Sequence, residues 1–120
     1  MTIQVQTEAT VRLMVDNAQK LSSSASITQT LVSYVNYKLQ VAASTVGYVV
    51  NLANLTEKQY LFLKTDKALT LQLATTSTAT DLFLPANGYL TLQGTYTDLL
   101  LTNSSSSDAA NVDIIAGDVA

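Results

Sequence analysis

Carboxylates are the side chains with which this chain could most readily do acid–base chemistry. It has nine Asp and Glu residues among 120 and no histidine. A glycosidase-like pair would need two carboxyl groups facing each other across a cleft, one of them with a raised pKa. Asp at a strand end or in a loop more commonly shapes a turn by accepting hydrogen bonds from nearby backbone. Six aspartates lie in such places, so we predict no catalytic residues among them: Asp66, Asp81, Asp98, Asp108, Asp113 and Asp118.

The missing residue types exclude further chemistry. There is no Cys, no His and no Trp. Without Cys the chain has no disulfide and no thiolate nucleophile, and without His it has no Ser-His-Asp triad and no imidazole metal ligand. The glycines are isolated instead of forming a phosphate-binding loop: Gly47, Gly88, Gly94 and Gly117. The sequence therefore predicts a protein that is not an enzyme and has no cofactor or metal site.

Calcium is the one cation that the sequence leaves open. Asn103, Asp108, Asn111 and Asp113 place several oxygen donors within one segment. A calcium ion takes six or more such ligands, and the acidic pattern of a dedicated calcium loop is missing. We predict a solvated polar loop, with calcium binding by residues 103–113 as the alternative.

Charge is sparse and slightly negative. Charged residues make up 12% of the chain, and the net charge is −3. The six bases are scattered and form no stripe that could neutralise phosphates, so we expect no nucleic-acid partner. The first residues show no secretion signal, and no apolar window is long enough to span a bilayer, so we also expect no membrane partner.

Hydrophobic residues recur mostly with a period of two, which is the periodicity of β-strands. The longest such run places Leu31, Val35 and Val41 on one parity and polar residues on the other. The same alternation predicts four shorter strands at residues 46–52, 61–63, 69–73 and 90–92. Turn residues recur about every ten positions, which is typical of an all-β sandwich or barrel.

Four segments carry the chemistry of turns and loops. The Asn-Gly pair within residues 85–88 and the short segment 65–67 each predict a tight hairpin. Residues 75–80 and 103–108 are polar and predict connecting loops.

The N-terminal part is ambiguous. Residues 8–21 alternate as a strand would, which we favour for 11–15, yet they also place apolar side chains on one helical stripe. The serine-rich residues 22–26 predict a flexible loop. The whole chain, 1–120, is expected to form a single domain, in which residues 1–27 are either an N-terminal arm or outer strands.

Aromatic residues and uncharged strand faces favour packing against protein. The six tyrosines and two phenylalanines are expected to fill the core or a subunit interface, with stacking on a sugar as the alternative. Several strands carry Thr, Ser and Gln on their polar faces, where a soluble monomer would usually carry charge. We therefore expect a homo-oligomer.

The C-terminal half resembles a known class of protein. Leu-Phe-Leu-Pro-Ala-Asn-Gly at 82–88 leads into Leu-Thr-Leu-Gln-Gly at 90–94, followed by Leu-Leu-Leu-Thr-Asn-Ser-Ser at 99–105 and Ala-Ala-Asn-Val-Asp-Ile-Ile-Ala-Gly at 109–117. This rhythm of strands and turns resembles the last strands of small jelly-roll or β-sandwich structural proteins of tailed bacteriophages. The resemblance covers about residues 60–117 and carries no functional residue.

The resemblance implies both a fold and a role. The expected fold is all-β: a single jelly-roll-like antiparallel β-sandwich of about eight strands. The expected function is that of a head decoration (cement) protein, made in the host cytoplasm and built into the virion, where a trimer stabilises the head by binding between major capsid subunits. The alternatives are a tail or fibre component, or a glycan-binding module for host recognition.

Overall fold

The computed structural model describes residues 2–75 and 78–120, which form nine strands. None of these residues belongs to a helix that is long and apolar enough to cross a membrane. The strands are β1 (Ile3–Val15), β2 (Ala18–Val41), β3 (Thr45–Val49), β4 (Tyr60–Thr65), β5 (Leu69–Ala74), β6 (Ala79–Leu84), β7 (Tyr89–Gln93), β8 (Asp98–Asn103) and β9 (Ala110–Val119).

The strands form two antiparallel sheets. The first sheet has the order β1-β2-β9-β4-β7, and the second has the order β3-β8-β5-β6. Among the described strands, β1–β2 and β5–β6 are joined within a sheet, and every other connection passes from one sheet to the other. Strands β2 to β9 thereby have the strand order of the two Greek keys of a jelly roll. Strand β1 is added at one edge of the first sheet. This topology confirms the predicted all-β sandwich.

The two predicted tight hairpins are wrong, although both segments are turns. Residues 65–67 link β4 of the first sheet to β5 of the second, and residues 85–88 link β6 to β7 in the opposite direction. A turn fixes where the chain reverses but not which sheet the next strand joins. Here Leu63 and Leu69 are both buried on facing sheets, and burying both is what sends the chain across the sandwich. The predicted 75–80 connector is too long, because Ala79 and Thr80 already belong to β6 and pair with β5. Thr76 and Ser77 of this segment lie outside the described residues.

The core lies between the sheets and consists of alternate side chains of their strands, as the period of two predicts. Residues 50–55 close one end of it with three apolar side chains that are also buried. The fully buried large side chains on the strands include Leu61, Leu63, Leu69, Leu71, Leu99, Leu101, Val112 and Ile114.

Strands β1 and β2 form a long hairpin that settles the ambiguity at the N-terminus. Asp16 and Asn17 form a two-residue turn, and both have positive φ (51° and 63°), as a type I′ hairpin turn requires. Residues 8–15 and 18–21 are therefore strand. The prediction of a flexible loop at 22–26 is wrong, because these residues pair with 8–12 of β1. The backbone ladder holds them extended even though serine has little preference for strands.

The hairpin bends where β2 leaves its pairing with β1. The pairing of β2 with β9 shifts register between Leu31 and Ser33, so that Val32 is an extra, exposed residue. Such a bulge bends a strand. Beyond the bend the hairpin lies across the outer face of the first sheet. Leu31 occupies the space where a Cβ on Gly117 would stand, 2.8 Å from Leu31 Cδ1. Tyr60, two strands away from β2, meets Thr7 of the hairpin with 2.8 Å between their hydroxyl oxygens.

Candidate functional site

Asp118 is a buried structural carboxylate. It accepts hydrogen bonds from the Ser33 hydroxyl (2.5 Å) and from the backbone amides of Thr56, Glu57 and Lys58 (2.8–2.9 Å). Burial alone would raise its pKa, but the hydrogen bonds from Ser33 and from the three amides outweigh burial and hold the pKa well below its usual value. A carboxylate held ionised in this way does not act as a general acid at neutral pH.

Asp66 has a similar role at the other end of the sandwich. Its carboxylate accepts hydrogen bonds from the backbone amide of Asn111 (2.7 Å) and from the Asn111 side-chain amide (2.8 Å). Both bonds lower the pKa of Asp66, and the bond from the backbone amide lowers it more. They tie the β4–β5 turn to the start of β9, which is the turn-shaping role predicted for Asp66.

Three of the four residues considered for calcium, Asn103, Asn111 and Asp113, have other contacts through their side chains, and Asp108 has them through its backbone. Asn103 donates its side-chain amide to the carbonyls of Val41 (3.1 Å) and Asp108 (2.8 Å) and so closes the 103–108 loop. Asn111 binds Asp66, and Asp113 forms an exposed pair with Lys38 at 3.3 Å. Within residues 2–75 and 78–120 no three acidic side chains come together as they would around a metal ion.

The other two aspartates lie on the second sheet. Asp81 on β6 accepts a hydrogen bond from Gln72 (3.1 Å), and Asp98 begins β8 beside Thr97 (3.5 Å). Both are exposed. The six aspartates considered in the sequence analysis are thus distributed over the molecule. No two of them are hydrogen-bonded to each other.

The aromatic side chains are divided between interior and surface. Tyr96 is buried and donates its hydroxyl to the carbonyl of Tyr60 (3.1 Å); burial, and to a lesser degree the charge of Asp118, raises the pKa of Tyr96. The exposed aromatics lie on four different strands: Tyr34 on β2 and Tyr89 on β7 of the first sheet, and Tyr48 on β3 and Phe83 on β6 at opposite edges of the second. They therefore form no shared platform on which a sugar ring could stack.

The free end of the hairpin is the most distinctive surface of the molecule. Residues 10–26 are all exposed, and two-residue alternation gives this tip two different faces. One face carries Val11, Leu13 and Leu21, which are 67%, 54% and 62% exposed. The other face is mostly polar, with Thr10 and Arg12 opposite Ser24 and Ser22, although Met14, of the same parity and 51% exposed, is apolar. We call residues 10–26 the hairpin tip and its Val11–Leu13–Leu21 side the apolar face.

The apolar face of the tip lies on the same side of the hairpin as residues that already pack against the first sheet. Closer to the bend, Ile3, Val5 and Leu31 occupy the same side of the hairpin and border a depression with Ile115 of the first sheet. Further out, Ala9 and Ile27 pass over Thr91 and Gln93 of β7, the last strand of that sheet. Beyond β7 no described residue lies under the tip.

The N-terminal strand also leaves an open edge. Among the described strands β1 pairs with β2 alone, so one edge of its 13 residues is free. The strand contains neither Pro nor Gly and carries two charges, Glu8 and Arg12. Natural proteins usually protect an exposed edge of this kind by shortening, bending or charging it.

A second uncharged surface lies on the outer face of the other sheet. Val46 on β3 is 84% exposed, and Phe83 on β6 is 68% exposed. Between them the face is built from Thr70, Gln72, Leu100 and Thr102, with Asp81 as a carboxylate at its margin. Sequence reasoning predicted uncharged strand faces but not their location.

The hairpin tip was missed because its alternation also fits a helix, although the Asp16-Asn17 pair is a hairpin signal.

Comparisons of the chain with protein-family models, with curated proteins and with solved structures find no match.

Proposed function

We propose that the protein is a non-enzymatic structural component of a tailed-phage virion, and specifically a head decoration protein that binds between major capsid subunits. In this role it is made in the host cytoplasm, incorporated into the virion and associated with copies of itself. The observation that supports a binding role most directly is the hairpin tip, whose large apolar side chains are exposed on a ribbon that contributes nothing to the core. Exposed apolar patches of this kind are typical of interaction sites.

Adhesion by such a surface needs no chemistry. Many modest contacts repeated over a symmetric lattice stabilise a shell by avidity, even where one contact alone is weak. The sparse charge of the chain suits this role, because few charges have to lose their hydration when the surface is covered. The uncharged outer face of the second sheet offers a further contact surface for capsid subunits.

Two alternatives make different demands on the molecule. A glycan-binding module would stack sugars on grouped aromatic side chains, whereas the four exposed aromatic side chains here lie on four different strands of the two sheets. A tail or fibre component would use the same adhesive surfaces at another place on the virion. Location on the particle therefore decides between a head and a tail role.

The test is co-sedimentation of the purified protein with empty, expanded heads of the phage that encodes it. We expect saturable binding, with a fixed number of copies per capsomer and bound density between capsid subunits in an electron cryomicroscopy map. Albumin with the same heads, and the protein without heads, control for trapping in the pellet. Failure to bind heads, or density on the tail in whole virions, would contradict the decoration role.

A further inference from the structure

The free edge of β1 is suited to pair with one particular partner, a second copy of itself. An unpaired strand edge presents rows of backbone N–H and C=O groups that another strand can satisfy. Two antiparallel copies of one strand related by a two-fold axis form such a pairing, with the same residues contributed from both sides. Whether this particular strand suits it depends on which side chains become neighbours.

Side-chain pairing across the two-fold axis favours one register. When Thr10 lies opposite its own copy, Glu8 lies opposite the partner's Arg12, and Arg12 lies opposite the partner's Glu8. Opposite charges in directly paired positions stabilise a sheet, and like charges destabilise it. Centring the pair at Glu8 or at Arg12 instead would place two like charges face to face.

The same register keeps the two faces of the hairpin distinct. Odd-numbered residues pair with odd-numbered ones, so Val11 lies beside the partner's Ala9 and Leu13 beside the partner's Thr7. The apolar faces of both tips therefore lie on the same side of a four-stranded ribbon. In each copy the neighbouring residues 5–9 already rest on that copy's own first sheet. Each apolar tip is thereby brought to the flank of the partner's sandwich.

We infer that the protein forms a two-fold dimer in which the β1 strands of two copies pair antiparallel about Thr10, with Glu8–Arg12 ion pairs fixing the register. The inference rests on the self-association contained in the proposed function and replaces the expected trimer by a dimer. It is independent of whether the partner in the virion is a capsid or a tail protein.

Charge reversal tests the register directly. The measurement is the solution mass by light scattering after size exclusion, over a dilution series in low salt. The wild type is expected at twice the 12.8 kDa chain mass. Glu8→Arg and Arg12→Glu each turn two attractive pairs into two repulsive ones, and each should raise the dissociation constant about tenfold or more. The combined variant E8R/R12E restores opposite charges in both pairs and should return the constant to within about threefold of wild type.

Controls separate pairing from folding. Both substituted side chains are exposed, so circular dichroism and the melting temperature of the monomers should match those of wild type. Val46→Ser, on the far sheet, should leave the dimer intact. A wild type that is monomeric or trimeric, or a double variant that stays dissociated, would overturn the inference.

Head binding is scored separately, so the two proposals can fail independently. A dimer that does not bind phage heads would contradict the decoration role and support the β1 pairing. A monomer that binds heads would support the decoration role and contradict the β1 pairing.

Discussion

At the scale of the residue, Asp118 has the most to lose by substitution. Five hydrogen bonds converge on its carboxylate, and they fasten β9 to β2 and to the loop that precedes β4. Asp118→Asn would remove the charge and turn an N–H group towards backbone amides that also donate. We expect a loss of about 3 kcal/mol in the free energy of unfolding, measured by urea denaturation. Asp108→Asn, on an exposed side chain, is the matched control and should change the free energy by less than about 0.5 kcal/mol. Equal effects at both positions would contradict this role for Asp118.

The lowered pKa of Asp118 also predicts an acid limit to stability. A carboxyl group whose pKa is lower in the folded protein contributes stability above its ordinary value of 3.8, and that stability is lost as the pH falls towards the folded pKa. The free energy of unfolding should therefore be flat between about pH 6 and 8 and should fall below about pH 4. In Asp118→Asn the fall should be shallower, with the slope due to Asp66 remaining. An unchanged slope in this variant would show that other carboxylates cause the acid loss.

At the scale of the element, Gly117 shows how closely the hairpin approaches the sheet. A Cβ at this position would stand 2.8 Å from Leu31 Cδ1 and 3.1 Å from the Ser33 carbonyl oxygen. The leucine can shift, but the backbone oxygen can do so only by moving β2. Gly117→Ala should therefore destabilise the fold by about 1–3 kcal/mol and speed amide hydrogen exchange in the hairpin. Gly94→Ala is the matched control, since its Cβ would meet nothing closer than Leu92 at 4.0 Å. Equal exchange rates in the two variants would argue against close packing at Gly117.

The elements also show what the sequence can predict. Strands with one face on the core, such as β4 and β5, were predicted because burial enforces a period of two. The sheet to which each strand belongs was not predictable from the turns at 65–67 and 85–88, because a tight turn permits both a hairpin and a crossing. In the hairpin tip no core selects one face, so its alternation stayed ambiguous. A turn position was correctly expected for Asp66, but Asp118 lies within β9 instead of in a turn. The hydrogen-bond partners of both aspartates are far away in sequence and were not predictable.

At the scale of the whole molecule, the sandwich and the hairpin tip are separable. The Cα radius of gyration is 15.8 Å, larger than the roughly 13.5 Å expected of a compact chain of this length. None of the tip's side chains belongs to the core cluster. Replacing residues 11–23 by an Asn-Gly turn between Thr10 and Ser24 should therefore leave a folded protein whose melting temperature lies within about 5 °C of the wild-type monomer. Calorimetry under dissociating conditions would measure this.

The shortened protein then locates the surface that holds copies together. If the tip and the edge of β1 make the contact, the shortened chain is a monomer at concentrations where the wild type is a dimer, and small-angle scattering gives a radius of gyration near the compact value. If it stays associated, the contact lies elsewhere, and the outer face around Val46 and Phe83 becomes the interface to test by Phe83→Ser. If it fails to fold, the tip contributes to the sandwich in spite of its exposure. The dimer proposed above is consistent with the first result alone, because its ion pairs and both apolar faces are removed together.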